Sequence, residues 1–202
     1  MPRFKKQNLS TKIPNKKHRI EEIIRCGKDA AYFLKTHVKI SHKVKGKIPF
    51  HTYPYQEECL ESFQENRFVI INKSRQMGLS TLTAGYSLWM ALFHQEKNIL
   101  VIATKLEVAK NFIRSVDGML TSLPDWLIMP DIVGRSVKHI QFSNGSQIKA
   151  IPTSTDSGRS EGVSLLAIDE CLASSTIKIR NKVTNEIRTI DISELYEKSE
   201  YV

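Results

Sequence analysis

The 202-residue chain is poor in the residues that staple small folds: it has three cysteines, Cys26, Cys59 and Cys171, and six histidines that stand singly. These form neither a pairable set nor a metal-ligand spacing. A disulfide framework and a structural zinc site are therefore excluded, and a reduced, cytoplasmic setting is expected. No apolar stretch follows the polar start at Arg3, Lys5, Lys6 and Gln7, so nothing there directs export. Long apolar runs are missing as well. The longest uncharged stretch, Gln76 to Gln95, is interrupted by Ser80, Thr81, Thr83, Gly85, Ser87 and His94, which fits a buried helix better than a membrane span.

Acidic residues are scarce at one end only. Residues 1–50 hold 14 Lys/Arg against Glu21, Glu22 and Asp29, a net +11, whereas the remainder holds 16 against 18, a net −2. A basic N-terminal helical region (1–50) facing a polyanion such as DNA is expected, without the interleaved aromatics of a base-stacking surface. The 41% hydrophobic content fits one globular core, or one core and a fragment of another, and excludes disordered, collagenous and coiled-coil chains.

Apolar spacing predicts a helix from Arg19 to Phe33, a turn-rich connection from Lys43 to Pro49, and a second helix from Tyr55 to Glu65. A strand (Phe68–Asn72), a loop (Lys73–Gly78), a helix (Leu79–Phe93), a strand (Ile99–Ala103) and a helix (Leu106–Leu120) follow. This βαβα order implies a parallel sheet with flanking helices. Val137–Phe142 and Gln147–Ile151 flank Asn144-Gly145, a hairpin signal. The run Val163–Ile168 reads as a buried strand ending in Asp169-Glu170.

The segment Lys73-Ser74-Arg75-Gln76-Met77-Gly78-Leu79-Ser80-Thr81 lies between strand and helix. It offers backbone amides at a helix N-terminus, the cations Lys73 and Arg75, and the hydroxyls of Ser80 and Thr81, which together suit a nucleoside triphosphate and Mg²⁺. Leu79 occupies the usual lysine position, so the cation must come from the other end of the loop. Asp169-Glu170 supplies one carboxylate for Mg²⁺ and one to activate water.

These residues, with Tyr53-Pro54-Tyr55-Gln56 and Asn144-Gly145-Ser146, resemble the large terminase subunit of tailed bacteriophages over residues 29–170. The resemblance implies an ATP- and Mg²⁺-dependent P-loop ATPase that drives double-stranded DNA into a capsid. A small terminase subunit, a portal and a homo-oligomeric motor would be its partners. It implies adenine reading by Gln56, phosphate binding by Lys73 and Arg75, Mg²⁺ binding by Ser80 and Asp169, and catalysis by Glu170. Arg159 would serve as an arginine finger. Early-lysine loops are known in that family.

After Glu170 the texture changes. Cys171-Leu172-Ala173-Ser174-Ser175-Thr176, β-branched alternation over Thr176–Ile179 and Ile187–Ile190, and a closing Ile190-x-x-x-x-Leu195 resemble the N-terminal block of an intein, although Ser174-Ser175 replaces the common Gly-Asp. The resemblance implies that the Cys171 thiolate attacks the Glu170 carbonyl to form a thioester. The Thr-x-x-His block and the closing His-Asn are absent, so the chain is expected to be either the product of a split gene, spliced in trans by a C-terminal intein and terminase fragment, or part of a longer precursor, with the split gene favoured. Three parts are expected: 1–50, a basic helical region; 51–170, an incomplete P-loop α/β domain; and 171–202, a β-rich intein fragment. A helicase-type P-loop ATPase and a basic nucleic-acid-binding module with a degenerate loop are the competing readings. The unjoined chain is expected to bind ATP poorly and hydrolyse it hardly at all.

Overall fold

A computed structural model describes residues 15–42, 44–153, 162–169, 176–180 and 187–191. Helix α1 (Lys16–Lys28) begins where the Asn15 side chain accepts from the His18 amide at 2.9 Å, and ends with Arg25 and Lys28 beside its free carbonyls. Asp29 then starts a new helix, α2 (Ala30–His37), by accepting from the Tyr32 amide at 2.8 Å. The single helix expected over Arg19–Phe33 is thus two, because a short acidic side chain that caps locally competes with helix continuation.

Strands β1 (Lys39–His42) and β2 (Gly46–Pro49) pair as an antiparallel hairpin where a turn-rich connection was expected. Helix α3 (Pro54–Glu65) places proline in the first turn, where a missing amide costs nothing. Helix α4 (Leu79–Phe93), strand β3 (Asn98–Ala103) and helix α5 (Leu106–Leu120) follow as the periodicity predicts. In α5 the residues Ala109, Phe112, Ile113, Val116, Met119 and Leu120 recur at helical spacing and are all buried. Each large member contributes roughly 1.5 to 3 kcal/mol of transfer free energy before entropy is subtracted.

Strands β4 (Ile132–Arg135), β5 (His139–Phe142), β6 (Gln147–Pro152) and β7 (Leu165–Asp169) complete a five-stranded sheet in the order β4-β5-β6-β3-β7. β3 runs parallel to both β6 and β7, whereas β4, β5 and β6 are antiparallel. The sheet is therefore mixed; only its βαβ portion is parallel. Gly145 turns the β5–β6 hairpin at φ 80°, and Asn144 Nδ2 docks that turn on α4 by donating to the carbonyls of Ala91 (2.9 Å) and His94 (3.1 Å).

The strand expected at Phe68–Asn72 does not form: the segment pairs with no strand among the described residues. Phe68 and Ile70 face water, at 76% and 48% exposed, whereas Ile71 packs against the core. A strand is a property of a pair, and among the described residues no neighbour lies beside this one to take its backbone hydrogen bonds.

The buried core links α1, α2, α4, α5 and the sheet, so residues of the basic N-terminal region pack in the same core as those of 51–169. Trp89 Nε1, for example, donates to the Cys26 carbonyl at 2.7 Å. β8 (Thr176–Arg180) and β9 (Ile187–Asp191) form a separate antiparallel pair, matching the two β-branched runs after Cys171. No described helix is long and apolar enough to cross a membrane.

Candidate nucleotide-binding site

The loop from Lys73 to Gly78 ends on the N-terminus of α4, where free backbone amides and the helix dipole favour an anion. Two residues there adopt left-handed backbone, Gln76 at φ 64° and Gly78 at φ 69°. Such alternation turns successive amides toward a common concavity, the geometry of an anion nest. Gln76 holds a conformation that costs a side-chain-bearing residue free energy, and such outliers mark functional loops. At Gly78 the φ favours glycine, and a Cβ there would stand 2.9 Å from Gln56 Nε2 and push that side chain aside.

Asp169 meets this loop at the C-terminal end of β7. Ser80 Oγ donates to its Oδ2 at 2.7 Å, and Lys73 Nζ lies 3.4 Å from its Oδ1. Hydroxyl, carboxylate and ammonium therefore sit together, brought from either end of the loop and from a strand distant in sequence. The donor set fits Mg²⁺, a hard cation that takes oxygen ligands from one hydroxyl and one carboxylate and keeps its waters. Lys73, at the early end of the loop, has its ammonium beside the Asp169 carboxylate. Arg75 and Ser74 are exposed on the same loop, Met77 and Thr81 are half-buried, and Leu79 is buried in the core.

Gln56 has a defined task in this arrangement that sequence reasoning missed. It is buried, its Oε1 accepts from the Tyr53 amide at 3.1 Å, and its Nε2 donates to the Met77 carbonyl at 3.0 Å. Tyr55 donates its hydroxyl to the same carbonyl at 2.9 Å, and the Tyr53 and Tyr55 rings stack at 5.6 Å. The start of α3 thus fixes the back of the Lys73–Gly78 loop. The signal was present: glutamine three residues past the cap position, with proline between, is a helix-start pattern that directs its side chain backward. Arg159, Glu170 and Cys171 lie outside the described residues.

A family model described as "Terminase large subunit, T4likevirus-type, N-terminal" matches residues 70–189. The match extends past Cys171 and includes β8 and the first three residues of β9. Among solved structures, the large terminase of bacteriophage HK97 is similar at a TM-score of 0.54 and 20% identity, over 71% of this chain. That overlap spans 31% of the HK97 chain, less than a third of its length.

Proposed function

The chain belongs to the T4-type large terminase family, N-terminal part, and on that premise we propose that Lys73–Thr81 and Asp169 bind ATP with Mg²⁺ for viral DNA packaging. The observation that carries this reading is the meeting of Ser80, Lys73 and Asp169 beside a two-point anion nest. Amides of the loop and the α4 terminus would hold the β- and γ-phosphates, with Lys73 neutralising their charge and Arg75 within the same loop. Ser80 and Asp169 would hold Mg²⁺, which neutralises charge developing on the phosphoryl oxygens. Gln56 and Tyr55 would keep the loop from collapsing before nucleotide arrives, and the family resemblance gives Gln56 the further role of reading adenine. Glu170, adjacent to the metal-binding Asp169, would take the proton of the attacking water, and Arg159 would stabilise the transferring group. Nucleotide-dependent protection of Lys73–Thr81 in hydrogen exchange, with ATP and Mg²⁺ but not with ATP and EDTA, is the test; equal protection in both would reject the metal assignment.

The second part of the reading concerns the bond after Glu170. Attack of the Cys171 thiolate on the Glu170 carbonyl forms a C–S bond, breaks the C–N bond and leaves the Cys171 amine free, giving a thioester. A nucleophile on a separate C-terminal fragment would then take the acyl group and join the ATPase. The packing of β8 with β9 in a sheet separate from the five-stranded one supports two units here. The bound DNA, small subunit and portal, and assembly as a homo-oligomer, belong to the joined enzyme. An uninterrupted terminase frame is the second reading, favoured by a family match that continues to residue 189. Mixing the chain with the product of the adjoining coding sequence distinguishes them: a ligated product that Cys171→Ala abolishes supports splicing, and an unaltered chain rejects it.

A further inference from the structure

Cysteines and histidines show no metal-ligand spacing along the chain, yet the fold gathers three unlike donors on the N-terminal helices. Glu22 and Cys26 stand one turn apart on one face of α1, and His37 is the last residue of α2, carried back toward them by the break at Asp29. A carboxylate oxygen of Glu22, the Cys26 sulfur and a ring nitrogen of His37 all lie within 4.8 Å of one another. The Cys26 residue is fully buried, and the Glu22 and His37 side chains are only 12% and 13% exposed. Their surroundings hold them in place. Trp89 Nε1 fixes the Cys26 backbone by donating to its carbonyl at 2.7 Å, and the Tyr32 hydroxyl orients Glu22 by donating to Oε1 at 2.7 Å. The rings of Tyr32 and Trp126 meet the His37 imidazole edge to face at 6.5 and 5.8 Å. None of the three donors belongs to the nucleotide site.

We propose that Glu22, Cys26 and His37 form a binding site for Zn²⁺, with solvent at the fourth position, that clamps α1 to the end of α2. Thiolate, imidazole and carboxylate together suit a borderline-soft dication and not Mg²⁺ or Ca²⁺, which take oxygen. The geometry is close to what such an ion needs. Bonds of about 2.0–2.3 Å in a tetrahedron hold the donors roughly 3.3–3.6 Å apart. The Glu22–His37 pair, now 2.9 Å apart, has to open by about half an ångström, and the sulfur has to approach by about an ångström at most. Tyr32 remains on the carboxylate as the outer partner that a metal-bound acid normally has. Burial and the Glu22 charge keep the free thiol protonated; the entering ion displaces that proton to solvent and neutralises thiolate and carboxylate together. An ordinary Glu–His ion pair beside an inert thiol is the competing account, and it predicts no sulfur–metal bond.

The experiment uses the whole 202-residue chain, kept reduced, freed of metal with EDTA, desalted and titrated with Co²⁺ as a spectroscopic stand-in for Zn²⁺. One equivalent should produce a thiolate-to-cobalt charge-transfer band and the intense d–d absorption of four-coordinate Co²⁺. Zn²⁺ should bleach both, and excess Mg²⁺ should not. Cys26→Ser should abolish the charge-transfer band, whereas Cys171→Ala should retain it. Because Cys26 is buried, Glu22→Gln and His37→Gln serve as further variants, each checked for native circular dichroism in EDTA, and each should weaken Co²⁺ binding at least tenfold. Zn²⁺ should also raise the melting temperature of the wild-type chain above its value in EDTA, and raise that of His37→Gln far less. Absence of the charge-transfer band in the wild-type chain would overturn the proposal. So would a band that survives Cys26→Ser, one lost with Cys171→Ala, or unaltered binding in both glutamine variants.

Discussion

Ser80 and Asp169 stand 89 positions apart in sequence and share a 2.7 Å hydrogen bond between hydroxyl and carboxylate. The bond joins the first turn of α4 to the end of β7, and both partners keep further acceptor capacity. If the pair holds one Mg²⁺, its members act as a unit. In the joined enzyme, Ser80→Ala and Asp169→Asn should each lower kcat by about 10²- to 10³-fold, and the double variant should cost little more than the worse single one. Steady-state ATPase measured across a Mg²⁺ titration checks this, and multiplicative losses would separate the two residues functionally.

Gln56 has two possible tasks that predict different ligand dependence. Its hydrogen bond to the Met77 carbonyl is a fixed feature of the loop; adenine reading belongs to the family resemblance. Removing it with Gln56→Ala should weaken ATP and inorganic tripolyphosphate alike if the loop is what it serves. Calorimetric titration of both ligands decides, with about a tenfold loss expected for each, since a buried polar contact is worth about 1 kcal/mol or somewhat more. A loss confined to ATP would assign the residue to the base.

Thiol chemistry offers a separate check on Cys171. Burial pushes the Cys26 thiol up to about 12, helped by the nearby Glu22 carboxylate, and burial also raises Cys59. Neither forms appreciable thiolate at neutral pH, whereas a splicing nucleophile must. Brief iodoacetamide treatment of the native chain at pH 7.5 should therefore modify Cys171 well before Cys59, and leave Cys26 unmodified until the chain unfolds. Peptide mapping reads the order, and labelling of Cys26 first would contradict the packing of α1.

Helices α4 and α5 were legible because their apolar residues repeat with the helix period and the repeat ends at each boundary. The meeting of loop and acid was legible too, since Ser80, Lys73 and Asp169 are each constrained by chemistry to a loop or a strand end. Phe68–Asn72 was not, for its side-chain pattern states a preference that only a neighbouring strand can satisfy. The break at Asp29 was missed because the apolar period continues through it and one local hydrogen bond decides the matter. β4 was missed because it is short, exposed and interrupted by Gly134. The role of Gln56 needed the third dimension: its partner at Met77 follows 21 positions later.

Glu22 predicts how the N-terminal helices respond to acid. Its Oε1 accepts from the Tyr32 hydroxyl at 2.7 Å and lies 2.9 Å from His37 Nε2, tying α1 to the far end of α2. Burial pushes this carboxyl up, but the hydrogen bonds from Tyr32 and His37 outweigh it and hold the group below its ordinary value of 4.5. The folded chain therefore binds this proton less readily than the unfolded chain. The contribution to stability is fully present above the unfolded value and disappears as pH falls through the folded one. Glu22→Gln keeps the shape but removes the charge, so wild type should melt above the variant by a constant margin from about pH 7 to about pH 5. That margin should shrink steadily below about pH 4.5 and vanish in stronger acid. Melting curves of both chains across this range check the sign; a margin that grew on acidification would mean that the carboxyl is protonated in the folded protein, and that burial had won over its two partners.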